Sequence, residues 1–277
     1  MRSWYRETRF ECGDYLDVNI YPVYKKAVCR SRKAKPTPEV QQKLNDKNAE
    51  NKLVRIANAN FTEEDVKLDL TYKTEYNPQT EEEAARLLSA FLRRVKRYRE
   101  KQGIPELKYI SVTEKGPRSG RYHHHLILSG GISQTEYRDL WGMGYVTSAG
   151  LIFNENGIAT LVHYMLKQAR EFMGKKKYSR SRNMIIPQPK QRDHRFSKKQ
   201  IKELAKDTED RAEYEKLYAG YCLAEATAVY NDANGGVYIY ARYYKKEAAW
   251  CNHKKRSSRS RFSAGQNSPG SNIRSSG

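Results

Sequence analysis

Residues 109–128 read YISVTEKGPRSGRYHHHLIL, and the fold follows from how this stretch is parsed. Two apolar-rich runs flank Gly116-Pro117-Arg118-Ser119-Gly120, a turn signal, so the segment is expected to be a β-hairpin. Side chains alternate faces along a strand. His123 and His125 therefore share a face, while His124 points away with Leu126 and Leu128. Glu114 stands just before the turn, as His123 stands just after it. Two imidazoles and a carboxylate at matching heights form a three-ligand set with open positions, chemistry that suits Mg²⁺, Mn²⁺ or Zn²⁺. A plain surface strand can carry histidines, but three of the chain's six fall in this triplet.

Composition narrows the partner. The 277 residues can bury a real core, and 52 Lys+Arg against 32 Asp+Glu leave a net charge of +20. A chain this basic is expected to meet a polyanion, with nucleic acid the leading candidate. No apolar run approaches the ~20 residues of a membrane span, and residues 1–14, MRSWYRETRFECGD, lack the apolar core of a signal peptide. The expected location is the cytoplasm of a bacterial host cell, with no membrane partner. Cys12, Cys29, Cys222 and Cys251 show no C-x-x-C spacing and read as reduced structural thiols. No phosphate-loop signature is present, which excludes a fused ATPase of that class.

Working outward, Val66, Leu68, Leu70 and Tyr72 alternate with Lys67, Asp69 and Thr71, a half-buried strand with a polar working face. Thr80-Glu81-Glu82-Glu83 has capping-box spacing, and Ala84, Leu87, Leu88, Phe91, Leu92, Val95 and Tyr98 then mark a helix stopped by Gly103. Ser133 caps a short helix ending near Trp141, and a strand begins near Gly144. From Gly157 to Arg170, Ile158, Leu161, Val162, Met165, Leu166 and Ala169 form an apolar stripe, with Thr160, Tyr164 and Lys167 on the polar side. Tyr164 and Lys167 are neighbours at i, i+3. Residues 9–23 read as one strand, 25–35 as a basic loop, 37–56 as a loose helix and 184–187 as an edge strand. One or two helices are expected over 197–218, then strands over 221–230 and 237–244, then a basic disordered tail over 252–277.

A metal site, a Tyr/Lys pair and basic loops together fit attack on a phosphodiester. A divalent ion offsets the negative charge of the phosphate, Tyr164 is the candidate nucleophile, and Lys167 can stabilise the phenolate. Arg118, Arg121, Lys175, Lys176, Lys177, Arg180 and Arg182 are the candidate DNA contacts.

With these residues in view, the chain resembles the HUH endonucleases, and within them the rolling-circle replication initiators of phages and plasmids. Leu68-Asp69-Leu70-Thr71-Tyr72 is similar to their first conserved strand, His123-His124-His125 with Glu114 to their metal motif, and Tyr164-Met165-Leu166-Lys167 to their Tyr-x-x-Lys motif. The tyrosine follows the metal motif, as in initiators, whereas relaxases place it near the N-terminus. His124 departs from the family's apolar central residue, and a single tyrosine occupies the motif where some phage initiators use two.

The resemblance implies an α+β fold: an antiparallel, RRM- or palm-like sheet with helices on one face and the metal site plus tyrosine helix on the other. It implies an organisation of 1–59 packed on the core, 60–190 as nicking domain, 191–251 as C-terminal helices and hairpin, and 252–277 as tail. The implied activity is Mg²⁺- or Mn²⁺-dependent nicking and joining of single-stranded or hairpin origin DNA through a 5′-phosphotyrosine, with a host helicase and polymerase as partners. Alternatives are a single-tyrosine transposase, a mobilisation relaxase, or a non-catalytic nucleic-acid-binding protein.

Overall fold

The computed structural model describes residues 3–25, 38–116, 120–168, 178–231 and 235–248, with side chains of 38–44 left aside. Among them two five-stranded antiparallel sheets and six α-helices give an α+β fold. None of the described helices is long and apolar enough to cross a membrane.

The first sheet has the order β8-β1-β2-β10-β9. Its strands are β1 (Ser3–Cys12), β2 (Tyr15–Tyr24), β8 (Lys190–Asp193), β9 (Tyr221–Asn231) and β10 (Gly236–Lys245). The single strand expected over 9–23 is thus the second half of a hairpin. Its turn uses Gly13 at φ 65°, where a Cβ would stand 2.7 Å from the Asn58 carbonyl oxygen. Leu16, Val18, Ile20, Ile239, Ala241 and Tyr243 line one face of this sheet. Helices α5 (Lys198–Lys206) and α6 (Arg211–Glu215) cover it through Ile201, Ala205 and Tyr214.

The second sheet has the order β6-β3-β5-β4-β7 and places the histidine strand at its centre. It comprises β3 (Val66–Thr71), β4 (Tyr109–Lys115), β5 (Tyr122–Leu128), β6 (Val146–Gly150) and β7 (Ser179–Arg180). Leu68, Leu70, Leu126, Leu128 and Val146 face helices α2 (Glu81–Gln102) and α3 (Gln134–Trp141). The large core side chains here, such as Phe91 and Trp141, each contribute about 1.5–3 kcal/mol on burial.

Local chemistry sets the helix ends. The Thr80 hydroxyl accepts from Glu83 N–H, while the Glu83 carboxylate accepts from Gln79 N–H, one residue before the expected box position. Gly103 closes α2 at φ 67°. The box at Ser133 and Glu136 is complete. Arg99, at the buried end of α2, donates to the carbonyls of Pro105, Ser129 and Gly130.

The opposite face of the second sheet carries Ile110, Val112 and Ile127. These pack under α1 (Pro38–Asn60) and α4 (Ala159–Gln168) through Leu53, Ile56, Ile158, Val162, Met165 and Leu166. The edge strand expected over 184–187 does not form. β7 already pairs with β4, and Asn60 saturates the Ile185 backbone by accepting from its N–H at 2.8 Å and donating to its carbonyl at 2.7 Å.

Candidate active site

Strand register builds the site. On β5, His123 stands between Thr71 of β3 and Glu114 of β4, and His125 stands between Asp69 and Val112. Lys67, Asp69, Glu114, His123 and His125 consequently lie on one face, the face over which α4 runs.

His125 is the pivot. It is 7% exposed, and its Nδ1 is 2.6 Å from Asp69 Oδ1. A carboxylate at that distance fixes Nδ1 as the protonated nitrogen, leaving the Nε2 lone pair free. Nε2 is buried and 3.1 Å from Glu114 Oε1, but it is not aligned for a hydrogen bond. An acceptor nitrogen thus faces an acceptor carboxylate across a gap that a cation, proton or metal, would bridge. Burial opposes charge on His125, but Asp69 and Glu114 outweigh it and raise its pKa. Burial likewise pushes the Asp69 pKa up, and the hydrogen bonds from His125 and Lys67 reverse that and lower it. His123 is lowered, chiefly by burial, against the pull of Glu114. Among the described residues no three His, Cys, Asp or Glu side chains already close into a metal-holding group.

Tyr164 of α4 reaches the same place. Its ring meets the His125 ring edge-on, with centroids 5.9 Å apart, and it is 46% exposed. The apolar stripe of α4, buried at Val162, Met165 and Leu166, leaves Tyr164 at the boundary between the packed face and solvent. Lys167 lies one turn further on and is exposed. The ammonium over the Tyr164 ring belongs instead to Lys67, 5.4 Å from the centroid, and it also pairs with Asp69 at 2.9 Å.

Lys67 and Asp69 are the residues that sequence reasoning left outside the site. The signal was present in their alternation with Val66, Leu68 and Leu70. What periodicity does not give is the neighbouring strand, and only the β3–β5 register sets Asp69 against His125.

His124 points to the other face and is fully buried there. Its Nε2 is 2.7 Å from Tyr72 Oη and its Nδ1 is 2.8 Å from Thr113 Oγ1. Burial, aided by the charge of its two histidine neighbours, pushes its pKa down to about 3, so it is neutral in the working range. It is a core residue.

The candidate DNA contacts divide. Arg121, just before β5, donates to Thr74 Oγ1 at 3.0 Å. Arg180 lies opposite Ile110 on the β4 edge, and Arg182 follows it, exposed. Arg118, Lys175, Lys176 and Lys177 lie outside the described residues, as do the basic loop from 26 onward and the tail.

No curated protein and no solved structure matches the chain. Residues 65–169, which carry β3, the histidine strand and Tyr164, match the replication-associated protein family of the ORF2 type, and that match supports reading the chain as a replication-initiator-like protein.

Proposed function

We propose that this chain nicks and rejoins single-stranded DNA to initiate rolling-circle replication. The observation that carries the reading is Tyr164 seated edge-on against His125, whose imidazole is held by Asp69 and faced by Glu114. Of the described side chains, His125 and Glu114, with His123 opposite Glu114, suit a hard divalent ion such as Mg²⁺ or Mn²⁺. When bound, such an ion supplies charge neutralisation at the scissile phosphate.

The chain's own residues do the rest. Asp69 orients His125 and holds its Nε2 toward Glu114. Lys67 and the His125 ring fix the plane of Tyr164 from two sides. Tyr164 Oη attacks phosphorus, its proton passes to solvent at this half-exposed position, and the P–O3′ bond breaks. The 3′ oxygen leaves and takes up a proton, so the products are a 5′-phosphotyrosine and a primer end. Lys167, one turn along the helix, is placed to meet the phosphate. Because the ester keeps the bond energy, rejoining by the reverse step needs no nucleotide cofactor.

The test is incubation with a labelled single-stranded oligonucleotide library and Mn²⁺, followed by peptide mapping. A denaturation-resistant adduct on the peptide holding Tyr164 is expected. Binding without an adduct, or an adduct on another tyrosine such as Tyr178, overturns the proposal.

A further inference from the structure

Beyond the tyrosine site, the first sheet presents a second polar cleft. One face of this sheet is closed by α5 and α6. On the other, α1 covers only part of the surface and leaves a cleft of about 120 Å³ between itself and strands β2, β9 and β10. Asp17 forms its floor and is buried at 6% exposure. Arg55 Nε donates to Asp17 Oδ2 at 2.8 Å and Arg242 Nε donates to Oδ1 at 3.1 Å. The Asp17 carboxylate therefore aims two guanidiniums, and Arg55 spends only its Nε in doing so. Its planar group lies 3.8 Å from the Phe10 ring centroid, which fixes the plane in which the remaining N–H groups are offered. Lys47 adds a third cation at the wall, 5.9 Å from the centroid of the Tyr240 ring. Tyr240 is 42% exposed. Among the described residues Glu225 on the rim is the one further carboxylate, so three cations face two anions.

An ion-pair network that merely ties α1 to the sheet accounts for Asp17, Arg55 and Arg242. It accounts neither for Lys47 nor for the exposed ring beneath it. A cavity of this size holds a phosphate group and is too small for a nucleobase, whereas Tyr240 at its edge offers a flat face. We infer that this cleft binds one phosphodiester of single-stranded DNA through Arg55, Arg242 and Lys47, with the adjoining base stacked on Tyr240. The occupant is chosen by charge complementarity: a polyanion for a chain with a net charge of +20, entering a cleft with a cation excess. The site lies on a different sheet from Tyr164, so the inference stands whether or not Tyr164 forms an adduct.

The experiment measures equilibrium binding of a labelled oligothymidylate to the full chain, without metal, over a salt series. Lys47→Gln and Tyr240→Ala are the informative variants, since both side chains are exposed and neither supports the core. Tyr240→Ala should weaken binding about tenfold, and Lys47→Gln should flatten the log–log salt slope by about 0.7. The thermal midpoints should stay unchanged, and adduct formation on a short oligonucleotide should proceed at the wild-type rate. Unchanged affinity and slope in both variants overturn the inference. An equal loss for Tyr240→Ala on a duplex of the same length also overturns it, because paired bases offer no free face to the ring.

Discussion

His124 allows a quantitative test of the structure that is independent of any activity. Its pKa falls from 6.5 to about 3 because burial between Tyr72, Thr113 and Trp141 disfavours the cation. The unfolded chain binds a proton at this position below about pH 6.5, and the folded chain does not until about pH 3. The unfolded state therefore binds more protons in that window, and stability must fall as pH drops through it. At about 1.4 kcal/mol per tenfold change in proton affinity, the full window is worth about 5 kcal/mol, and about 3 kcal/mol has been lost by pH 4.

His124→Leu removes the titration while keeping a side chain of similar volume. It orphans the Tyr72 and Thr113 hydroxyls, so at pH 7.5 the variant should be less stable by about 2–4 kcal/mol. Because the chain's carboxylates titrate alike in both proteins, the difference between them isolates the imidazole. Urea unfolding at a series of pH values should show the gap closing by about 3 kcal/mol between pH 7.5 and pH 4. A gap that stays constant with pH would refute the buried, neutral assignment of His124.

Other perturbations address the site and its frame. Tyr164→Phe removes one hydroxyl from a half-exposed ring, so a thermal melt should match wild type while adduct formation on a sequencing gel disappears. Asp69→Asn leaves the distance to His125 but removes the charge that orients it. Mn²⁺-dependent cleavage should fall about 10–100-fold, with DNA affinity in a gel-shift assay unchanged. A chelator should abolish cleavage in the wild type, restored by Mn²⁺ in excess, and leave DNA binding intact. Gly144→Ala would set a Cβ 2.1 Å from the Thr71 carbonyl oxygen beside β3, so a loss of about 2 kcal/mol or more is expected in denaturant unfolding, carried by backbone displacement.

The parts of this molecule that periodicity encodes were legible in the chain. Alternation along 122–128 set His123 and His125 against His124, and the stripe in 158–166 placed Tyr164 at a helix boundary; both faces are as expected. The helices begun by Thr80 and Ser133 and ended by glycine were equally plain. What sequence could not give is which strands are neighbours. Asp69 and Lys67 enter the site through the β3–β5 register, and the pairing of β2 with β10 joins segments far apart in the chain. The 184–187 run misled because its apolar pattern fits a strand, yet a side-chain amide from Asn60 already satisfies the backbone there.

That β2–β10 pairing has a consequence for synthesis. The histidine sheet is made largely of hairpin and near-hairpin contacts, and most of its strands emerge within one continuous stretch of chain. In the first sheet, β2 must wait for β10, on the order of 200 residues later, before its second edge is covered; at 5–20 residues per second that is roughly 10–40 s on the ribosome. Through that interval an apolar ribbon bearing Leu16, Val18 and Ile20 carries an open edge, the kind of surface that recruits chaperones or pairs with a neighbouring nascent chain. Ribosome-stalled chains ending before residue 236 should accordingly be protease-resistant in the histidine sheet and sensitive around β1 and β2, so the two halves of the protein mature on different clocks.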